Sequence, residues 1–263
     1  MIEQTTEIRS NRQINAHTWL MALRSPEIAG QAAPGQFVML RVRNSLAPLL
    51  RRPFSICCTR QEDILILYRV VGVGTRMMTG LREGDEVSVL GPLGRGFNMP
   101  GPKHDIILVG GGIGVAPLFA MAQALGDRKF SFLAGFQTAA EILLPEQIGQ
   151  PSFLIDWTTD DGSRGRAGFV TELLKECLDR QGEEGEGPWI SACGPKAMLA
   201  QIAELVKGKD LHCEVSLEAH MACGLGACQG CAVTAAPGGD RPFYHVCQDG
   251  PVFPIAAIDW GGF

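Results

Sequence analysis

Apolar residues come in short runs through the first hundred positions of the chain: 17–25 (HTWLMALRS), 35–43 (GQFVMLRVR), 53–59 (PFSICCT), 63–71 (DILILYRVV) and 85–91 (DEVSVLG). Glycine, proline and aspartate punctuate them, and helical periodicity is nearly absent apart from a short stretch after Thr75. Short β-rich runs at this spacing predict an antiparallel barrel over residues 1–102. From Lys103 the pattern changes. Strand-like runs (IILVGG, FSFLAGF, SFLIDWTTDD, WISACG) alternate with helix-like ones (APLFAMAQAL, AAEILLPEQI, FVTELLKECLD, KAMLAQIAELV). That alternation predicts a parallel sheet with helices on its faces over 103–212. The boundary falls in the Gly/Pro-rich GPLGRGFNMPGPKHD. The remaining residues, 213–263, form a third, cysteine-bearing module.

Residues 106–126 carry no charge and are long enough to span a bilayer. Four glycines fall in the first half of that stretch and Pro117 just past its middle, so it parses as a buried strand, a glycine loop and a helix from about Ala116. A net charge of −5 argues against a nucleic-acid partner. The chain opens without an apolar signal region, and its nine cysteines are an odd number. Both point to a reducing, cytoplasmic setting rather than a disulfide framework.

Four of those cysteines, Cys223, Cys228, Cys231 and Cys247, are spaced C-x4-C-x2-C-x15-C. This is the plant-type spacing of [2Fe–2S] ligands. Gly224, Gly226 and Gly230 let the loop wrap tightly and turn amide N–H groups toward sulfur. Structural zinc is the alternative, but zinc pairs usually come as two separate short C-x2-4-C units.

Three further stretches suit nucleotide cofactors. In Arg51-Arg52-Pro53-Phe54-Ser55 a guanidinium offers a forked donor set for a pyrophosphate, while an ordinary strand with exposed arginines has the same letters. Val71-Gly72-Val73-Gly74-Thr75-Arg76 offers glycines and a hydroxyl before a helix start, or a plain turn. Gly110-Gly111-Gly112-Ile113-Gly114 ends the first strand of the α/β region. It departs from G-x-G-x-x-G because Val115 stands where the third glycine would be, and no ribose-binding acid lies ~20 residues on. Cys193-Gly194-Pro195 and Thr159-Asp160-Asp161-Gly162 end later strands and reach the same crevice.

Taken in order, RRPFS, GVGT, LVGGGIGVAPL, TTDDGSRGRAG, CGP and the cysteine loop resemble the ferredoxin-reductase superfamily. Within it the chain is most similar to the electron-transfer subunits of dihydroorotate dehydrogenase B. The most specific part of the resemblance is LEAHMACGLGACQGC followed by VCQDGPVF. The resemblance implies an FAD barrel, then an NAD domain, then a [2Fe–2S] module. It implies that Arg52, Pro53, Phe54 and Ser55 bind FAD, with Leu67, Tyr68 and Arg69 on the next strand and Gly74 and Thr75 at the helix start. Gly111, Gly112, Gly114, Gly194 and Pro195 would line the nicotinamide site, with Cys193 as a catalytic candidate beside it. The four cysteines of the loop would hold the cluster. Phe54 departs from the family's aliphatic residue, and His220 stands where arginine is expected.

The implied activity is transfer of hydride from NADH to FAD, then of single electrons through the cluster. Hydrogen bonding and partial exposure would tune the cluster upward from the ~−400 mV of plant-type centres. The chain holds no eight-fold βα barrel for a pyrimidine-oxidising site. The resemblance therefore implies a partner, an FMN-containing dihydroorotate dehydrogenase catalytic subunit, with two copies of each subunit. Its docking face would lie near residues 224–229. Reductase subunits of a ferredoxin/NADP transhydrogenase, a hydrogenase or a glutamate synthase share the domain order. A flavin/iron–sulfur redox sensor without steady turnover is a reading of another class, as is a zinc-stabilised binding module. The absence of an arginine cluster after GFQTAAEILL leans toward NADH over NADPH.

Overall fold

A computed structural model describes residues 1–43, 49–180, 187–239 and 241–262. Seven strands form a curled antiparallel sheet in the order β4-β3-β7-β1-β2-β6-β5. They are β1 (Ile2–Gln13), β2 (Thr18–Arg24), β3 (Phe37–Arg41), β4 (Arg52–Ser55), β5 (Cys58–Arg60), β6 (Asp63–Arg69) and β7 (Glu86–Leu93). The curl brings β4 against β6. Two short helices, α1 (Pro26–Ala29) and α2 (Val73–Met78), put Ile28 and Met78 into its core. The hydrophobic pattern does not show β1, because most of its side chains are polar and face solvent. It nevertheless sits centrally, pairing with β7 through Ile2–Glu7 and with β2 through Ile8–Gln13.

The second sheet has the order β11-β10-β9-β8-β12-β13-β16, the last strand being Val252–Pro254. Its parallel strands are β8 (Ile106–Gly111), β9 (Ser131–Phe136), β10 (Asp156–Thr159), β11 (Arg166–Ala167), β12 (Trp189–Cys193) and β13 (His212–Ser216). Every residue of β8 is buried, as a central parallel strand covered on both faces requires. Helix α3 (Val115–Leu125) is buried nearly all round because it lies between β8 and the barrel strand β5. Pro117 falls in its first turn, where a missing N–H costs nothing. Helices α4 (Val170–Arg180) and α5 (Lys196–Val206) cover the other face. The run 106–126 is thus a strand, a 3-10 turn and a helix, and among the described residues no helix is long and apolar enough to cross a membrane.

Two expectations need correcting. AAEILLPEQI is not a helix but two single 3-10 turns, Ala139–Glu141 and Pro145–Ile148. Pro145 pushes Leu144 into extended backbone (φ −103°, ψ 144°) and breaks the periodicity. The expected boundary between 212 and 213 falls inside β13, whose Ser216 pairs in register with Cys193. Strand β16 (Val252–Pro254) returns antiparallel along β13. Residues 217–251, with the small hairpin β14 (Ala232–Thr234) and β15 (Phe243–His245), are therefore an excursion between two neighbouring strands.

The units share their cores. Leu20, Cys57, Cys58, Leu65 and Leu67 of the barrel pack with Leu118, Phe119 and Phe132 of the α/β unit. Phe37, Met39 and Leu93 pack with Val215, Cys231, Val246 and Cys247. Gln123 and Thr59 exchange hydrogen bonds of 2.7 and 3.1 Å across the seam, and Arg60 donates to the carbonyl of Ile148 at 2.9 Å.

Candidate functional site

Strand β4 carries Arg52, Pro53, Phe54 and Ser55, all half-buried. The two adjacent arginines have different roles. Arg51 is 9% exposed and spent internally: it donates to the Ser88 carbonyl (3.0 Å) and hydroxyl (2.9 Å) and pairs with Glu3. Arg52 lies over the start of α2, so close that a β-carbon on Gly74 would come within 2.5 Å of its Nε. The two phosphate-compatible stretches of the sequence therefore meet at one place. Thr75 does not offer its hydroxyl there. Its Oγ1 accepts from the amides of Val71 (3.0 Å) and Gly72 (3.1 Å), closing the loop on itself.

Tyr68 is 1% exposed inside the barrel, with Phe54 edge-on at 6.1 Å and its hydroxyl donating to Asn11 at 3.1 Å. Leu67 is 3% exposed in the seam. The side chains of Leu67 and Tyr68 are therefore core. What β6 offers is backbone, since β5 pairs only with Asp63, Ile64 and Leu65 and the strand beyond has a ladder partner, β2, on one side. Arg69 is half-exposed and pairs with Glu141 at 3.0 Å, joining barrel strand β6 to the first 3-10 turn of the α/β unit.

The order of the parallel strands reverses between β8 and β12, and the crevice at their carboxyl ends is where such sheets take ligands. The glycine loop after β8 and the Gly194–Pro195 turn after β12 pack backbone to backbone there. A β-carbon on Gly114 would lie 2.4 Å from the Cys193 carbonyl oxygen, and one on Gly111 2.8 Å from Pro195. A cavity of about 280 Å³ opens beside them, walled by Gly111, Gly112, Pro195, Met198, Asp160 and Glu141 among others. Cys193 is not in that wall. It is 3% exposed, and burial holds its thiol far above the ordinary range, with Glu218 adding to the effect and the Ser216 hydroxyl opposing it. The expected catalytic cysteine is thus a neutral, packed thiol.

In the cysteine loop the sulfurs form two pairs. Cys231 and Cys247 lie 3.3 Å apart, 2% and 3% exposed. Cys223 is half-buried and Cys228 exposed, and the Cys228 amide donates to the Cys223 sulfur at 3.4 Å. Amides also reach sulfur from Leu225 to Cys223 (3.3 Å), from Gly226 to Cys247 (3.1 Å) and from Cys247 to Cys231 (3.5 Å). Gly224, Gly226 and Gln229 take the positive φ that this wrapping demands. Burial pushes Cys223 up, but the amides of Leu225, Cys228 and Ala227 and the Cys228 thiol outweigh it and bring it to about 6. Burial and the neighbouring Cys231 thiol push Cys247 up to about 12. Among the described residues no three His, Cys, Asp or Glu side chains surround one point as a single ion would need. Two thiol pairs with amides aimed at sulfur suit two irons with two thiolates each.

A second cavity, of about 710 Å³, joins these parts. Its walls include Pro53 and Val71 of the barrel, Gly194 and Pro195 of the crevice, and Glu218, His220 and Gly230 of the excursion. Neither Glu218 nor Glu141 is singled out by the sequence. Glu141 lies in a run whose letters read as helix, and Glu218 falls within LEAHMACGLGACQGC but ahead of its cysteines. A third hollow, of about 590 Å³, lies at the opposite end of the sheet by Lys207, Lys209 and Trp260 and contains none of the expected residues.

Residues 218–259 match the family described as the iron–sulfur cluster binding domain of dihydroorotate dehydrogenase B. The chain is 39% identical over 248 residues to the electron transfer subunit of dihydroorotate dehydrogenase B (NAD(+)) of Desulforamulus reducens, covering 93% of each. It is also 39% identical over 260 residues to the same subunit of Geobacillus kaustophilus, covering 95% of this chain and 96% of that one. Among solved structures it is similar to an NADH-dependent reduced ferredoxin-NADP oxidoreductase, with TM-score 0.83, 28% identity, and coverage of 98% of this chain and 90% of that one. The fold is shared with a ferredoxin NADP+ reductase of Neisseria gonorrhoeae at TM-score 0.66 and 15% identity, over 82% of this chain and 99% of that one.

Proposed function

The chain belongs to the family of dihydroorotate dehydrogenase B electron transfer subunits, and from that premise we propose that it takes hydride from NADH and hands single electrons to a catalytic partner. The barrel would hold FAD, which would supply a hydride acceptor, and Cys223, Cys228, Cys231 and Cys247 would hold a [2Fe–2S] cluster, which would supply one-electron transfer. The observation that carries the reading is the 710 Å³ cavity, where barrel strand, nucleotide crevice and cluster excursion meet.

The chain's own residues position and insulate. Arg52, held over Gly74, neutralises a pyrophosphate, and Phe54 and Ser55 follow it on the same strand. Gly111, Gly112, Gly114, Gly194 and Pro195 let a dinucleotide approach the backbone, and the cavity walls exclude water while the rings align. Cys193 packs and exchanges no proton. Cys231 and Cys247 face inward toward the shared core, while Cys223 and Cys228 face outward beside the exposed Leu225, which suits passage from inside to a docked partner.

We assign FAD to residues 1–102, NADH to the parallel sheet and the cluster to the excursion from 217. The partner is an FMN-containing dihydroorotate dehydrogenase catalytic subunit, two copies of each subunit assemble, and the setting is cytoplasmic. A second reading, a ferredoxin-linked NADP reductase subunit, is favoured by the similarity to the NADH-dependent oxidoreductase. Lower identity than to the dihydroorotate dehydrogenase B subunits places it second.

The test is an anaerobic visible spectrum before and after NADH, with iron and flavin counted. Flavin and cluster bands that bleach together, and electrons that reach dihydroorotate chemistry only when the FMN partner is added, support the reading. A colourless, zinc-loaded protein overturns it.

A further inference from the structure

Adjacent residues of a strand point to opposite faces, so neighbouring thiols in a regular ladder do not meet. Cys57 and Cys58 break that rule. The Cys57 amide donates to the Leu65 carbonyl at 2.8 Å, and Cys58 pairs with the same Leu65 in the ladder of β5 and β6. Two residues thus stand against one, a bulge that re-aims side chains. Both cysteines enter the core shared with the α/β unit, while Ile56, just before them, enters the barrel's own.

The two thiols are not equivalent. Cys58 lines a hollow of about 160 Å³ between residues 32–34 and helix α3, together with Pro34, Ala120 and Gln123. Cys57 is 0% exposed and outside that wall. The Cys57 thiol donates to the Cys58 sulfur; burial opposes this, and Arg60 and the Gln150 side chain add to it. The balance holds Cys58 below the ordinary thiol range, while burial pushes Cys57 well above it.

We infer that Cys57 and Cys58 form an oxidation site for hydrogen peroxide, in which Cys58 is attacked first and Cys57 closes a vicinal disulfide onto it. The hollow admits a small neutral oxidant to Cys58. The Cys58 thiolate takes one peroxide oxygen, the O–O bond breaks, and hydroxide leaves with the thiol proton as water. The Cys57 thiol then displaces the sulfenic oxygen, which leaves as a second water. Two thiols lose two electrons in all, and one peroxide gains them. Thr59, next to Cys58, exchanges hydrogen bonds with Gln123 of α3, so closing the ring pulls on the seam between barrel and sheet.

The other thiols outside the cysteine loop lack part of this arrangement. Burial pushes up Cys193, and Cys177 on α4 as well. Cys213 is a built-in control: it lines the 590 Å³ hollow, yet burial and Glu214 push it up to about 12.

The test is treatment of the flavin- and cluster-loaded chain with hydrogen peroxide, followed by alkylation in denaturant, trypsin and mass spectrometry. Both thiols fall in one peptide, residues 52–60 (RPFSICCTR), with no other cysteine. In wild type that peptide loses two hydrogens, escapes alkylation and is restored by a thiol reductant, about tenfold faster than Cys213 loses its free thiol. Cys57→Ser stops at a sulfenic acid on Cys58 that dimedone traps, and Cys58→Ser leaves Cys57 free. The wild-type peptide reads the site even where a variant fails to fold. A 52–60 peptide that keeps both thiols while Cys213 is oxidised, one cross-linked to another cysteine peptide, or dimedone on Cys57 instead of Cys58 overturns the proposal.

Discussion

Gly74 lies directly beneath Arg52: a β-carbon added to Gly74 would sit 2.5 Å from the arginine Nε and 3.1 Å from its Cζ. The obstacle is the end of a flexible side chain, so Gly74→Ala folds by moving the guanidinium. Displacing it removes a charge-assisted contact to a pyrophosphate. The expected outcome is normal cluster content with FAD retention lower by about tenfold. Flavin-to-protein ratio after extensive dialysis checks it.

The two thiol pairs differ in burial, and that separates two effects of substitution. Cys231→Ser and Cys228→Ser both lose the [2Fe–2S] absorbance and leave flavin reduction by NADH intact. Only Cys231→Ser also puts a hydroxyl into the shared core, where Cys231 is 2% exposed. Iron-depleted Cys231→Ser is expected to be about 1–2 kcal/mol less stable than iron-depleted wild type, and Cys228→Ser unchanged. Urea unfolding of the iron-depleted proteins gives the comparison.

A side chain on Gly114 meets backbone, not a movable group, with the Cys193 carbonyl carbon at 2.6 Å and the Gly194 amide nitrogen at 2.7 Å. Gly114→Ala has to part the two loops of the crevice. A cost of about 1–3 kcal/mol in stability is expected. The KM for NADH with an artificial acceptor should rise about tenfold with flavin content unchanged. Thermal melts and steady-state kinetics read the two parts separately.

Burial holds the Tyr68 hydroxyl at about 12, against a smaller opposing effect of the Asn11 hydrogen bond. An unfolded tyrosine ionises near ~10. The folded value is the higher one, so this contribution is complete below about pH 10 and is lost as pH rises toward 12, by about 2 kcal/mol. Tyr68→Phe should unfold with less alkaline sensitivity across that window. Near neutrality it should be about 1 kcal/mol weaker, because Asn11 Oδ1 loses its donor. Urea midpoints at pH 9 and pH 11 for both proteins test the sign.

The four candidate cluster cysteines are legible in the sequence because they lie within one stretch of chain, at a spacing that few other sites share. The flavin-side motifs are legible as fragments. Their meeting at Arg52 and Gly74 is tertiary and leaves no mark on either. Tyr68 enters only through the family resemblance, because β6 is buried on both faces and its letters do not distinguish a barrel interior from a cofactor face. Strand β1 is hidden for the opposite reason: its outer, polar side dominates the letters.

The excursion that holds the cysteines leaves the sheet at Ser216 and rejoins it at Val252. Cys223 is seven residues beyond Ser216, and Cys247 five before Val252. At about 3.5 Å per extended residue, the first tether cannot exceed about 25 Å and the second about 18 Å. The length of the electron path from nucleotide crevice to cluster is therefore capped by covalent bonds. Breathing of the barrel against the sheet can change how the flavin is gripped, but it cannot carry the two ends of this path out of each other's range.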